Sequence, residues 1–379
     1  SGILFLSSLT FKAGGDHVLY GWILSILLNI PLIIIFCKIA KGSNGESAIA
    51  NLWGKGINKS FQRYFPWLVF FTTLIGIPYS LHIISEYVYF VFFVPQKLTI
   101  FSMLTLSFLI NILRLNVGAK IQLFFTIIFF IIVLSLFFKT PTSADHGQAL
   151  PPINDIPTIK KIFEVALLSF WAFAGIENLS FLREKFKKPN TDFVISAFLG
   201  FVLCSLLYLG ITLSYKTIIS YGEIDTKIGL LQLAQKTTSA KAMSFLISIA
   251  ALLAVFLNLT SWMMGISETI KEEFKKISIL NIDNERLPLS ILYLSYLAVG
   301  FFFSSYQEIA SLLVPFISAN FVLIYLISCI SFFRIKTKWR DKTLALIPTF
   351  FLICAFSMSS FYFIYSIAIY IFSRFLKEH

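Results

Sequence analysis

The chain has 379 residues, of which 57% are hydrophobic and 13% are charged, and its mean hydropathy is +0.83. Soluble domains carry about 25% charged residues, so this composition leaves too little polar surface for a water-soluble protein of this length. Windows without any charge reach the length of about 20 residues that a membrane-spanning helix needs; they lie at 193–215, 242–267, 287–307, 309–333 and 343–373. These windows do not alternate polar and apolar residues, which excludes a barrel and predicts an all-α polytopic membrane protein.

In chain order, the apolar segments predict twelve spans: 1–11, 18–38, 66–94, 98–113, 119–138, 161–182, 192–214, 242–266, 288–304, 308–332, 342–356 and 360–375. The first is incomplete, because the ten residues before Lys12 cover about 15 Å of helix, about half a bilayer. We therefore expect either further residues before Ser1 or a half-helix at the start. The segments 139–160 and 215–241 are predicted loops on one side. On the other side, 39–65 contains an apolar patch, Ala48 to Trp53, that favours an interfacial helix.

The net charge of +12 arises from 31 basic and 19 acidic residues. If the N-terminus is cytoplasmic, 22 of the Lys and Arg residues fall in inside loops and 9 in outside loops. This bias follows the positive-inside rule and predicts a multi-pass protein of the cytoplasmic membrane with both termini cytoplasmic. The basic residues thus set the topology of the chain in the membrane. We expect membrane lipid as a partner and no nucleic acid.

Neither the four cysteines nor the four histidines have the spacing of metal ligands, so we expect no metal and no cofactor. Within the spans, the titratable candidates are His82, Glu86 and Glu177, too few for the clustered groups of an enzyme active site. His82 and Glu86 lie at i, i+4 on one helix face. They form either a pair inside a water-filled vestibule or a structural bond near the outer interface.

The sixth predicted span carries a glycine and an acid near its middle, in the run Phe173-Ala174-Gly175-Ile176-Glu177. Gly175 either allows close helix packing or marks an unwound segment that exposes backbone groups to a substrate. Glu177 either exchanges a proton as access alternates or is a structural acid that accepts hydrogen bonds from backbone amides.

The stretch FWAFAGIENLSFLREKFKKPN (170–190) resembles the sixth helix of amino acid–polyamine–organocation superfamily transporters, in particular their arginine/agmatine antiporter branch. Ser1-Gly2-Ile3-Leu4 resembles the first-helix motif of that family, cut off at its start. GGDHVLYGWIL (14–24), 115–120 and 286–288 resemble the stretch that follows this motif and the beginnings of helices 5 and 9. The matches fall in order along the whole chain.

This resemblance implies a LeuT-like transporter fold of two inverted five-helix repeats with about 12 helices. The first repeat would occupy 1–138, with helix 1 truncated, and the second 161–332. Two additional helices would follow in 342–375, within a single transmembrane domain over 1–379.

The resemblance also implies a substrate site between unwound helices 1 and 6. Backbone amides of Ser1, Gly2 and Ile3 would bind the substrate carboxylate. Its α-amino group would lie at Ala174 and Gly175, with the carbonyl of Phe173 or its neighbours.

Three further residues match functional positions of the family. Trp171 would correspond to the gating tryptophan of helix 6 and Trp262 to a second tryptophan on helix 8, with lipid or core packing as the alternative for both. Glu177 would correspond to the acid of proton coupling or gating. Aligning Trp262 leaves Thr260-Ser261 out of register with a sodium site, and Asn258 lies nearer to that position.

The implied function is secondary active transport of an amino acid or amine across the cytoplasmic membrane. The transport would be proton-coupled or an exchange, and it would work by alternating access around helices 1 and 6. A homodimer is a candidate assembly. The alternative is an amino-acid-sensing membrane receptor subunit that binds its ligand on the same fold without moving it.

Overall fold

A computed structural model of the chain describes residues 2–41, 48–114, 119–138, 151–153, 155–175, 188–220, 222–237, 240–276, 286–358 and 360–376. These residues form fifteen α-helices: α1 (Leu6–Gly14), α2 (Val18–Lys41), α3 (Ala48–Gly56), α4 (Lys59–Phe92), α5 (Gln96–Ile112), α6 (Ala119–Phe138), α7 (Ile156–Phe173), α8 (Pro189–Ile218), α9 (Gly229–Thr237), α10 (Ala240–Lys276), α11 (Leu287–Ser305), α12 (Gln307–Leu312), α13 (Val314–Ile335), α14 (Trp339–Met358) and α15 (Ile364–Phe375). Short 3-10 helices lie at Gly2–Leu4, Gly15–His17 and Ser360–Phe363.

Six helical stretches in the described part of the chain are long and apolar enough to cross a membrane: Leu6–Lys41, Lys59–Phe92, Thr191–Ile218, Lys241–Lys271, Leu287–Ser305 and Gln307–Ile335. Trp339–Ser357 and Phe361–Phe375 form a further candidate as a pair, bent by 98° where the sequence predicted a turn. Two shorter apolar helices, Gln96–Ile112 and Ile127–Phe138, coincide with predicted spans. The predicted class, a helical multi-pass membrane protein, is confirmed.

The first apolar stretch folds back on itself and is therefore two elements, as predicted, rather than one long span. The indole Nε1 of Trp22 donates a hydrogen bond of 3.1 Å to Oγ1 of Thr10. In a straight helix these residues would be about 18 Å apart along the axis. The chain reverses at Gly15, whose φ of 51° is readily available only to glycine.

Two glycines let this hairpin pack against α7. A Cβ atom at Gly14 would lie 2.6 Å from Cγ2 of Val165, and one at Gly21 would lie 2.3 Å from its Cγ1. Both distances are far below van der Waals contact, so only hydrogen fits at either position. Small residues at helix contacts are the usual means of close packing in membranes.

Helix α4 is the centre of the bundle and packs against α3, α5, α10, α11, α13 and α15. Its apolar window is 83% buried, whereas that of α8 is only 28% buried. The side chain of Asn58 caps α4 by accepting hydrogen bonds from the amides of Ser60 and Phe61. On α8, large apolar side chains face outward, among them Ile195, Leu199 and Leu206. In a membrane this outward face of α8 contacts lipid.

The patch at 48–53 is helical, and its Trp53 is fully buried and donates a hydrogen bond to Oγ of Ser328, so this face of α3 packs against the other helices. The predicted loop 215–241 differs from the sequence prediction, because it contains α9, which buries Leu230 and Leu231. Within the span predicted at 161–182, the helix ends at Phe173, and residues 176–182 lie outside the described residues.

Candidate substrate-binding site

A cavity of about 360 Å³ lies in the middle of the bundle, within the range of small-molecule sites. Its walls come from the start of the chain and from α4, α6, α7, α8, α10 and α13. None of the described residues that line it is charged: Gly2, Ile3, Thr72, Thr73, Gly76, Ile77, Ser80, Leu81, Phe129, Trp171, Ala172, Ala174, Cys204, Leu207, Tyr208, Ala254, Val255, Asn258, Leu259, Trp262, Ile317 and Phe321.

The chain is not a regular α-helix where its first segment meets the cavity. Gly2–Leu4 is a 3-10 turn, Phe5 leaves helical geometry at φ −134° and ψ −28°, and α1 begins at Leu6. The carbonyl of Leu4, beside this break, accepts a hydrogen bond of 2.9 Å from the hydroxyl of Tyr87. Because Gly2 and Ile3 line the cavity, the N-terminal end of α1, which carries partial positive charge, is adjacent to it.

A second break lies at the end of α7, a helix that contacts the 3-10 turn Gly2–Leu4. The helix ends at Phe173, Ala174 is extended with ψ 137°, and Gly175 has φ 136°. Ala174 lines the cavity, so the C-terminal end of α7 brings partial negative charge to the same space. The chain thus leaves helical geometry at the position where the sequence predicted an unwound segment.

An aromatic cluster covers one side of the cavity. The ring of Phe5 contacts those of Tyr79 and Trp171, each with a centroid distance of 5.0 Å and edge-on geometry, and the Tyr79 and Trp171 centroids are 6.0 Å apart. We call Phe5, Tyr79 and Trp171 the aromatic cover. It contains Trp171, the predicted gating residue, and joins α4, α7 and the first break. On the α4 side, the ring of Tyr79 lies 6.4 Å from that of His82.

The remaining predicted site residues divide into three groups. Trp262 lines the cavity together with Trp171. Phe173 does not; its ring packs against Trp22, Phe201 and Tyr208, although its backbone lies at the α7 break. Gly175 is likewise not a lining residue, and Ser1 and Glu177 lie outside the described residues. These site assignments remain predictions.

A row of small and hydroxyl residues on α4 was not singled out from the sequence. Thr72, Gly76 and Ser80 follow one another at intervals of four and line the cavity. Thr72 donates a hydrogen bond of 2.6 Å to the carbonyl of Leu68, and Ser80 donates one of 3.0 Å to that of Gly76. Such bonds let hydroxyl residues sit in an apolar helix, where they are inconspicuous. Their i, i+4 spacing, which places them on one face of a helix, was the feature of the sequence that could have indicated this wall of the cavity.

The predicted His82–Glu86 pair lies next to the aromatic cover, where the His82 ring is 6.4 Å from that of Tyr79. Nε2 of His82 is 3.8 Å from Oε1 of Glu86, too far for a hydrogen bond. The same carboxylate oxygen is 3.9 Å from Nζ of Lys227, in the segment before α9. No group of three or more His, Cys, Asp or Glu side chains among the described residues is arranged to bind a metal ion.

This arrangement defines a class of protein. A bundle of membrane-crossing helices around a central cavity, with two helix breaks at its wall, is the architecture of a membrane transporter. The amino acid permease family model matches residues 1–374, and the chain belongs to that family. Its relatives are transporters and not enzymes.

Two curated relatives give the same assignment. The chain is 22% identical over 224 residues to the L-methionine/branched-chain amino acid exporter YjeH of Escherichia coli, which covers 59% of this chain and 54% of the relative. It is 26% identical over 243 residues to the uncharacterized amino acid permease YecA of Bacillus subtilis, covering 62% and 56%. The chain thus spans about half the length of the curated relatives it matches.

Solved structures show the same fold. The manganese transporter of Eremococcus coleocola, in a mutant form, superposes with a TM-score of 0.63 over 99% of this chain and 90% of that one, at 13% identity. The same transporter bound to an aromatic bis-isothiourea substituted compound superposes with a TM-score of 0.63 at 14% identity. The predicted LeuT-like transporter fold is confirmed. At this identity, the likeness concerns the fold alone.

Proposed function

We propose that this protein is a secondary active transporter of a neutral, apolar amino acid, working by alternating access around the breaks of α1 and α7. The observation that carries the proposal is the uncharged cavity between two helix ends of opposite polarity. A zwitterion fits this arrangement. Its carboxylate would meet the backbone near Gly2 and Ile3, and its ammonium group would meet the carbonyls near Phe173 and Ala174.

The walls of the cavity favour an apolar substrate side chain. Phe129, Trp262 and Phe321 supply aromatic surface, and Ile317 and Leu259 supply aliphatic surface. The arginine/agmatine branch that the sequence resembles would require a partner for a guanidinium group, and no described lining residue is acidic. The name of the Escherichia coli relative, an exporter of methionine and branched-chain amino acids, supports the same substrate class.

We propose that transport is proton-coupled or an exchange, with Glu177 as the proton-coupling or gating acid. The support is its place two residues after Gly175, at the α7 break. An acid beside a break that changes shape experiences a different environment in each state, which is what coupling requires. We further propose that the protein lies in the cytoplasmic membrane with both termini on the cytoplasmic side. We also propose that it assembles as a homodimer.

The test is flux in proteoliposomes containing the purified full chain. Labelled methionine and leucine should be taken up saturably and should exchange with unlabelled substrate, whereas arginine and agmatine should not compete. Glu177→Gln should flatten the pH dependence of uptake. Binding of methionine without any flux would contradict transport and would favour the sensing-receptor function. An unchanged pH profile in Glu177→Gln would remove that residue from coupling.

A further inference from the structure

His82 is a buried imidazole whose hydrogen-bonding capacity is unused. It is 1% exposed, and neither ring nitrogen has a hydrogen-bond partner among the described residues. A neutral imidazole has one donor and one acceptor, and a protonated one has two donors. Buried polar groups are normally paired, so an unpaired one in a central helix points to a ligand or to a second state.

The neighbours of His82 are charged groups from two elements. Oε1 of Glu86, one turn further along α4, is almost equally distant from Nε2 of His82 and Nζ of Lys227, at 3.8 and 3.9 Å. Asp225 adds a negative charge near Glu86 from the segment that holds Lys227, and Gln96 donates a hydrogen bond to the Glu86 carboxylate. One carboxylate oxygen thus lies between two competing nitrogen donors.

Segment 222–228 is held against three other elements through Thr226 and Lys227. Nζ of Lys227 contacts Glu86 on α4 and donates a hydrogen bond to the side-chain oxygen of Gln307 on α12. The adjacent carbonyl of Thr226 accepts a hydrogen bond of 3.0 Å from Oγ of Ser8 on α1. Segment 222–228, anchored by Lys227, therefore fastens α1 to α4 and α12 on the side of the aromatic cover.

We propose that His82 and Glu86 form a proton-binding pair whose proton occupancy controls the aromatic cover. This proposal rests on the proposed function, because the cover closes the proposed substrate site. The proton comes from water on the Lys227 side and binds to an imidazole nitrogen, and no other bond forms or breaks. The pair is separate from Glu177.

The switch is the competition of His82 and Lys227 for one oxygen, Oε1 of Glu86. An imidazolium donates a charge-assisted hydrogen bond, which draws Oε1 of Glu86 toward Nε2 and away from Lys227. Lys227 then loses its contact with α4, and its segment is free to separate from α1. The His82 ring lies 6.4 Å from that of Tyr79, which contacts Phe5 and Trp171, so the same movement reaches the cover. Protonation of His82 therefore opens the cavity toward the side of Lys227, and deprotonation closes it.

The experiment needs no substrate, so it separates this proposal from the transport proposal. Cys204 lines the cavity and reports its accessibility. A full-length variant retaining only this cysteine is placed in sealed vesicles of each orientation and treated with a membrane-impermeant methanethiosulfonate. Labelling rates are divided by the rate for free cysteine at the same pH. Burial and the nearby Lys227 ammonium both favour the neutral imidazole, so the proton binds only in acid. From the Lys227 side, labelling should be roughly fivefold faster at about pH 4 than at about pH 7.5.

Three variants should divide into two opposite phenotypes. His82→Gln cannot take up the proton and should label slowly at both pH values. Lys227→Gln removes the anchor and should label rapidly at both, and so should Glu86→Gln. His17→Gln is the matched control, because this histidine stacks on Tyr20 outside the cluster, and it should keep the pH dependence of the parent. A parent rate independent of pH, or a His82→Gln variant that keeps the full pH dependence, would overturn the proposal.

Discussion

Asn320 donates a hydrogen bond of 2.9 Å from Nδ2 to Oγ1 of Thr72, joining α13 to the cavity wall of α4. Asn320 is completely buried, and its Oδ1 accepts a hydrogen bond from Oγ of Ser366, the residue whose carbonyl accepts one from the hydroxyl of Tyr64. The amide is therefore paired at both ends. It fixes the Thr72 hydroxyl at the cavity and connects that wall to α15.

Asn320→Ala should destabilise the protein and weaken substrate binding. It leaves the buried hydroxyl of Ser366 without its acceptor and removes the donor to Thr72, at a cost of about 1–3 kcal/mol for an unsatisfied buried group. Thermal unfolding in detergent and substrate affinity measure the two effects. Ser318→Ala is the control: Ser318 is equally buried two residues away, but its Oγ has no hydrogen-bond partner among the described residues. Equal losses in the two variants would contradict the role of the network.

Gly21→Ala should separate α2 from α7. The added methyl group would lie 2.3 Å from Cγ1 of Val165 and 3.0 Å from the carbonyl oxygen of Ile162. Overpacking of this kind costs about 1–3 kcal/mol. The measurement is the midpoint of thermal unfolding. Val165→Gly removes both Cγ1 and Cβ, which would lie 2.3 and 2.4 Å from the added methyl group, so Gly21→Ala should cost less in that background than in the parent. An equal cost in the two backgrounds would show that the contact with Val165 is not limiting.

Hydropathy and spacing predicted the membrane class, the spans and the break after Phe173, because each of these depends on local composition. Gly175 alone left close helix packing and a break as alternatives, and the resemblance to the transporter family favoured the break. Burial inside the bundle was not predictable in the same way. Trp53 and the leucines of α8 are equally apolar, and hydropathy does not distinguish contact with lipid from contact with protein. For this reason the sequence did not show that Trp53 of α3 is buried against Ser328.

Only part of the candidate site was predicted, because the sequence does not show which residues meet in the folded protein. Trp171 and Trp262 were identified through their resemblance to a family, and both line the cavity. Thr72 and Thr73 were not identified, because each hydroxyl bonds to a carbonyl of its own helix and leaves no unusual charge. Their partners Asn320 and Tyr296 lie more than 200 positions away. Tertiary pairing of this kind is not visible in a single sequence.

Trp171→Leu should weaken substrate retention. The indole makes ring contacts with Phe5 and Tyr79, and such pairs contribute about 0.5–1.5 kcal/mol each beyond the area they bury. Losing both predicts a roughly tenfold weaker apparent affinity, expressed mainly as faster substrate release from the cavity. Release rates from preloaded protein measure this. Trp339→Leu is the control, since Trp339 is 72% exposed at the start of α14 and far from the cover. Equal effects of both substitutions would exclude a covering role for Trp171.

Gly175→Ala should impair turnover through backbone strain alone. The φ of Gly175 is 136°, which residues with a Cβ rarely adopt, yet a Cβ there would meet no atom within 4 Å. Forcing an alanine into this region costs about 1–3 kcal/mol. We expect the break to relax toward a regular helix and the maximal rate of uptake to fall roughly tenfold or more. Gly200→Ala isolates the cause, because that glycine also has open space around it but lies within α8 without a positive φ. It should transport normally and be no less stable, since alanine favours a helix more than glycine does. Normal transport by Gly175→Ala would show that the α7 break does not need a glycine.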